Sequence, residues 1–197
     1  MRTDITAGLL VGAGGVLFAV GNALHPLEHS EAAHAAATWE AAHLIFGLGG
    51  LLLAAGLPLL VLAGGAVRPS RLAAAAAILL AVTFAGLAPG AWFEAFIAPL
   101  PGGVDKTVEA GPAGTVNAVI GFGWILSVVL FGVALIRRPA RPPVRWAGIG
   151  LVAAAVVLVA GPGIPVVEGL WIIPASMVAG LALAVTGIVP LRGTAKP

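Results

Sequence analysis

Every histidine of this 197-residue chain lies in one short stretch: His25, His29, His34 and His43, interleaved with Glu28, Glu31 and Glu40. Neutral imidazole is the commonest protein ligand for transition metals, and carboxylates join it in mixed sites. Glu-x-x-His occurs twice, as Glu31/His34 and Glu40/His43. Residues three apart share a helix face, so each pair can chelate one ion through a carboxylate oxygen and a ring nitrogen. Two further acids, Glu94 and Glu168, stand alone in the later chain. The metal-ligand candidates are therefore His25, Glu31, His34, Glu40, His43, Glu94 and Glu168, and the expected ion is iron, copper or zinc. There is no cysteine, so thiolate metal sites, iron–sulfur clusters and disulfides are excluded.

Helical bundles that bind two irons use two Glu-x-x-His pairs plus two lone glutamates. The ligand set here, though not the sequence, resembles that of ferritin-like di-iron proteins, with Glu94 and Glu168 as the lone acids. On a straight helix the two pairs stand about half a revolution apart. They face one site only if the chain breaks near Thr38. His25 and His43 offer a second arrangement. One closes the first apolar run and the other opens the second, so antiparallel neighbours bring them to one depth, where two imidazoles can hold a haem iron. The plain alternative is that His29, His34, Glu28 and Glu31 are solvated loop groups. His43 and Glu94 differ, because each adjoins apolar sequence (His43-Leu44-Ile45-Phe46 and Trp92-Phe93-Glu94-Ala95-Phe96). Ionisable groups at membrane depth are costly and tend to be functional.

The elements that must position these groups follow from composition. The chain is 60% hydrophobic and 9% charged, against roughly 25% charged residues in soluble domains, and its mean hydropathy is +1.09. It cannot cover itself with polar surface. A spanning helix needs about 20 apolar residues, and six such runs are marked: 5–24, 39–62, 71–89, 115–136, 145–161 and 169–191. The predicted fold is all-α, a polytopic integral membrane protein built as one six-transmembrane-helix bundle with short loops, a single transmembrane domain over residues 1–197.

Charge sets the expected orientation. Arg2, Arg68, Arg71, Arg137, Arg138, Arg141, Arg145, Arg192 and Lys196 all fall on one side of this topology, and only Lys106 falls opposite. The acids Glu28, Glu31, Glu40, Glu94, Asp105, Glu109 and Glu168 take the other side, with Asp4 the exception. Basic loops stay cytoplasmic, so both termini are expected in the cytoplasm of a bacterial cell, with the histidines at the outer face of its plasma membrane. The partner is the bilayer. A nucleic-acid role needs a folded basic surface, for which no sequence remains. The first span resembles a signal peptide, with Arg2 before an apolar core and small residues at Gly21 and Ala23. Its basic end is thin, so it is expected to remain as a helix.

Finer expectations concern the helix ends. Pro26 suits a first helical turn, which predicts an outer helix over 26–37, followed by Thr38 as cap of the second span. Trp39, Trp92 and Trp171 are placed in an outer interfacial belt, with Trp146 at the inner boundary. The stretch 89–101 reads as an irregular helix end or a short interfacial helix. Glycines such as Gly47, Gly49, Gly50, Gly56, Gly121, Gly123 and Gly132 are expected where helices touch, and Asn22 and Asn117 as bridges between helices. Arg71 and Arg145 are 74 residues apart, as are Glu94 and Glu168. Spans three–four and five–six therefore read as candidate copies of one hairpin, with the two acids in equivalent places.

The function these residues point to is a metal- or haem-binding membrane protein, a redox enzyme acting on a lipid-soluble substrate. Two alternatives stand beside it: a small-solute transporter, and a non-catalytic accessory subunit assembled with partner chains or copies of itself. Transport is weakened by span centres that carry only Thr83, Ser127 and Thr186 as main polar groups, since transporters bind at the midplane. Metalloprotease, P-loop and serine-hydrolase motifs are absent.

Overall fold

The computed structural model describes residues 2–64, 70–100 and 111–191. Seven α-helices and one 3-10 turn make up the fold among them. The six long ones are α1 (Arg2–Leu24), α3 (Trp39–Leu62), α4 (Arg71–Phe96), α5 (Pro112–Arg137), α6 (Pro142–Ala160) and α7 (Gly169–Leu191). The short α2 (Glu31–His34) lies between α1 and α3, and a 3-10 turn (Gly161–Gly163) follows α6. All six long helices are apolar and long enough to cross a bilayer, which makes this a multi-pass membrane protein.

The six helices close into a ring in chain order. α1 packs on α3 and on α7, and the remaining contacts run α3–α4, α4–α5, α5–α6 and α6–α7. Each helix runs opposite to the next, so the chain alternates between an end carrying the histidines and an end carrying the arginines. Hydrocarbon lipid supplies no hydrophobic drive between helices, so close contact rests on small residues. At Gly15 on α1 an added Cβ would stand 2.5 Å from the Gly180 carbonyl oxygen and the Ala184 nitrogen on α7. Gly14 and Gly49 join α1 to α3 in the same manner, and Gly132 and Gly148 join α5 to α6. Inside the ring, Phe18, Phe84 and Trp124 meet edge to face or tilted, with centroids 5.2, 5.9 and 6.3 Å apart. Leu53, Leu57, Leu80, Phe131, Leu151 and Leu183 are fully buried around them. Large apolar side chains also face outward, Phe122 at 75% and Val82 at 63% exposure, as a lipid-facing surface requires. At the arginine end, Arg141 Nη1 donates to the Val189 carbonyl at 3.1 Å, placing a cation against the last turn of α7.

Several expectations at the helix ends are corrected. α4 continues through Pro89 to Phe96, so 89–100 holds no separate interfacial helix. Proline removes one backbone bond, and neighbouring packing compensates for it in spanning helices. The outer helix shrinks to Glu31–His34, capped by Ser30, whose hydroxyl accepts from the Ala33 N–H at 3.2 Å. Thr38 precedes α3 but makes no side-chain capping bond. Gly121 touches no neighbouring helix. Asn22 donates to Phe18 O of its own helix at 2.7 Å, and Asn117 is exposed. The repeated hairpins differ where they should match: Glu94 sits in the last turn of α4, whereas Glu168 lies in the connection before α7. Arg68, Asp105, Lys106, Glu109, Arg192 and Lys196 lie outside the described residues.

Candidate metal centre

Three histidines from three local settings converge at one end of the ring. His25 follows the last residue of α1, His29 lies in the connection to α2, and His43 occupies the second turn of α3. One ring nitrogen from each lies within 4.8 Å of the others. In all three rings Nδ1 faces an oxygen. His43 Nδ1 is 2.8 Å from the Trp39 carbonyl one helical turn back, His25 Nδ1 is 2.6 Å from the Pro26 carbonyl, and His29 Nδ1 is 2.7 Å from Glu168 Oε1. A carbonyl oxygen only accepts, so Nδ1 of His25 and of His43 carries the proton. The lone pair of the neutral ring is then on Nε2. Metal-ligating histidines characteristically give their second ring N–H to a carbonyl or carboxylate, which fixes both tautomer and orientation. Three nitrogens bound tetrahedrally at about 2.0–2.1 Å from one ion stand about 3.4 Å apart, closer than the 4.8 Å that bounds the separations here.

The environment favours a neutral ring at His25. Burial pushes the His25 pKa below its ordinary 6.5. The Pro26 carbonyl opposes that shift, nearby His29 adds to it, and Glu168 opposes it. His43 is 2% exposed. Trp39 backs the whole group: its ring lies 4.4 Å from that of His43, 4.5 Å from His34, 5.2 Å from His25 and 5.4 Å from His29. It is 1% exposed, which corrects its placement in the interfacial belt. Its indole N–H donates to the Glu94 carbonyl at 2.6 Å, tying the start of α3 to the end of α4. Trp92 and Trp146 do lie exposed, at 56% and 71%.

The triad opens onto a cavity of about 250 Å³. His25, His29, His43, Glu94 and Glu168 line it, with Asn22 and Asn117 as further polar groups and Phe46, Leu87, Ile172 and Ile173 as hydrocarbon. Of the sequence-derived candidates, His25, His43, Glu94 and Glu168 therefore share one cavity. Glu31, His34 and Glu40 do not line it. Glu40 and His43 are on the same helix, yet three residues still leave about 60° between them. That angle turns His43 into the bundle and leaves Glu40 exposed. Glu31 is likewise exposed, and His34 packs on Trp39. Neither Glu-x-x-His pair is complete in the three-histidine cluster found among the described residues; of their four members only His43 belongs to it. His29, read from sequence as a solvated loop group, belongs to the cluster. The four-residue spacing from His25 was its only local signal, because its partner Glu168 is 139 residues away.

No protein-family model, curated protein or solved structure shows significant similarity to this chain.

Proposed function

We propose that this chain is a metal-binding membrane protein whose His25, His29 and His43 hold one transition-metal ion through their Nε2 atoms. One observation carries the reading: each Nδ1 is already held by an oxygen, in the pattern that orients metal-ligating imidazoles. Three imidazoles without a thiolate suit zinc, copper or iron. A site with three protein ligands and an open fourth position is the arrangement of catalytic rather than structural metals, and all three histidines line the cavity. Ring packing favours a single ion over a haem. The His25 and His43 centroids are 4.8 Å apart, and the His29 ring stands 5.0 Å from that of His25, in space a porphyrin plane would need. A midplane solute path finds less support. The buried hydroxyls of Thr83, Ser127 and Thr186 bond to the carbonyls of Leu80, Trp124 and Leu183 on their own helices.

The arginine-rich end is assigned to the cytoplasm of a bacterial plasma membrane by the retention of basic loops, which puts both termini inside and the metal centre at the outer face. A reporter fused within 26–38 is expected to read as external. Metal analysis tests the main reading. Purified protein, stripped and reloaded with zinc, copper or iron, is expected to retain about one ion per chain, and His25→Ala and His43→Ala are expected to lose it. A wild-type chain that retains none of the three overturns it.

A further inference from the structure

Resting on the three-histidine reading, we infer that the cavity binds an amphiphile dissolved in the bilayer, whose oxygen-bearing head occupies the open metal position and whose chain leaves sideways between the helices. Three observations carry this.

The wall of the cavity is divided. Imidazoles and the carboxylates of Glu94 and Glu168 line the side at the helix ends, and Phe46, Leu87 and Ile172, one or two helical turns further in along α3, α4 and α7, supply hydrocarbon on the deeper side. A purely water-borne small polar ligand has no use for the second side.

The volume is small. About 250 Å³ falls just below the roughly 300–1,000 Å³ of pockets that enclose a whole small molecule. A head group and its first few carbons fit, and the rest of a longer molecule must lie outside.

The wall is open toward lipid. The first eight residues of α5, Pro112–Val119, include none that is buried, although Asn117 lines the cavity. A helix packed into a ring buries one face, and this stretch of two turns buries none. Gly90 on α4 also lines the cavity, and a Cβ there meets nothing within 4 Å. The outward side chains at this height, Val116 and Val119, are apolar, 58% and 66% exposed. The opening therefore faces hydrocarbon.

The test uses cobalt-loaded full-length protein in lipid nanodiscs, with acetohydroxamic and octanohydroxamic acids as probes that share a metal-binding head and differ in chain. Both are expected to shift the cobalt d–d bands of the wild type. Gly90→Leu puts a side chain where the first carbons run and strikes no backbone. It is expected to keep the cobalt spectrum and the acetohydroxamate response while binding octanohydroxamate about tenfold more weakly, the order of effect of overfilling a packed site. Both proteins sit in the same lipid, so partitioning cancels. Ile172→Asn, which makes the hydrocarbon wall polar, is expected to give the same loss and serves if Gly90→Leu fails to load cobalt. Octanohydroxamate binding unchanged in whichever variant loads cobalt, or no band shift by either probe in the wild type, overturns the inference and leaves the metal reading intact. Failure of the wild type to load cobalt overturns the inference, and failure to retain zinc, copper or iron as well overturns the metal reading with it.

Discussion

His29 and Glu168 meet across 139 residues of chain, with Nδ1 2.7 Å from Oε1, and this contact joins the connection after α1 to the connection before α7. The two side chains are 48% and 45% exposed. Even a fully charged exposed pair adds only about 0–1 kcal/mol to stability, so the contact matters chiefly for aiming the imidazole. Glu168→Gln is expected to leave the unfolding midpoint nearly unchanged. Metal affinity, followed by chelator competition, is expected to fall about 10–100-fold, as for other partners of metal-bound histidines.

Substitution separates the triad from the candidates outside the cavity. His25→Ala and His43→Ala are expected to abolish stoichiometric metal binding, whereas Glu31→Ala, His34→Ala and Glu40→Ala are expected to retain it. Elemental analysis of purified variants distinguishes the two groups. Loss of metal in Glu31→Ala and Glu40→Ala together would restore the Glu-x-x-His chelates.

Trp39 joins ligand orientation to helix packing. Trp39→Phe keeps most of the ring but removes the N–H that bonds to the Glu94 carbonyl at 2.6 Å. The expected loss is about 1–3 kcal/mol, the range for removing one partner of a buried hydrogen bond. Denaturant titration in mixed micelles measures it. Trp39→Ala adds a cavity beneath the imidazoles and is expected to lose more, about 3–5 kcal/mol.

Glycine substitutions test the ring itself. Gly15→Ala drives a methyl into the α7 backbone, where the Gly180 oxygen and Ala184 nitrogen stand 2.5 Å from the new Cβ. It is expected to lower the thermal midpoint. Gly121→Ala meets nothing within 4 Å and is expected to stabilise by about 0.5–1 kcal/mol through the lower conformational freedom of alanine. Thermal melts that rank these two in the opposite order would refute the closed packing of α1 on α7.

Acid is expected to weaken the metal-free fold through His25. Burial lowers its folded pKa below the ordinary 6.5, so the unfolded chain binds the proton more readily. This contribution to stability is fully present above about pH 6.5 and is lost as pH falls toward the lowered folded value. Melts of chelator-treated protein between pH 8 and 5 are expected to show the decline, and His25→Gln to flatten it. An equal slope in both proteins would remove His25 as its source.

Much of the architecture is legible from residue order, because a bilayer admits only long apolar helices with internally satisfied backbones. Trp39–Leu62 and Gly169–Leu191 form helices over the residues their hydropathy marks. The grouping of Arg71, Arg137, Arg138, Arg141 and Arg145 at one end, with every histidine at the other, follows from helix alternation alone. What residue order could not contain is the choice among polar groups near one depth. Glu40 and His43 carry the same spacing signal, and only the rotation of α3 within the ring decides that one faces out and the other in. His29 looks like a solvated loop residue until α7 brings Glu168 beside it. Trp39 looks interfacial until α4, running on past Pro89, offers the Glu94 carbonyl to its indole N–H. Hydrophobic periodicity reports burial along one helix, while a site is a distance between helices, and that distance exists only once the glycine-lined contacts have closed the ring.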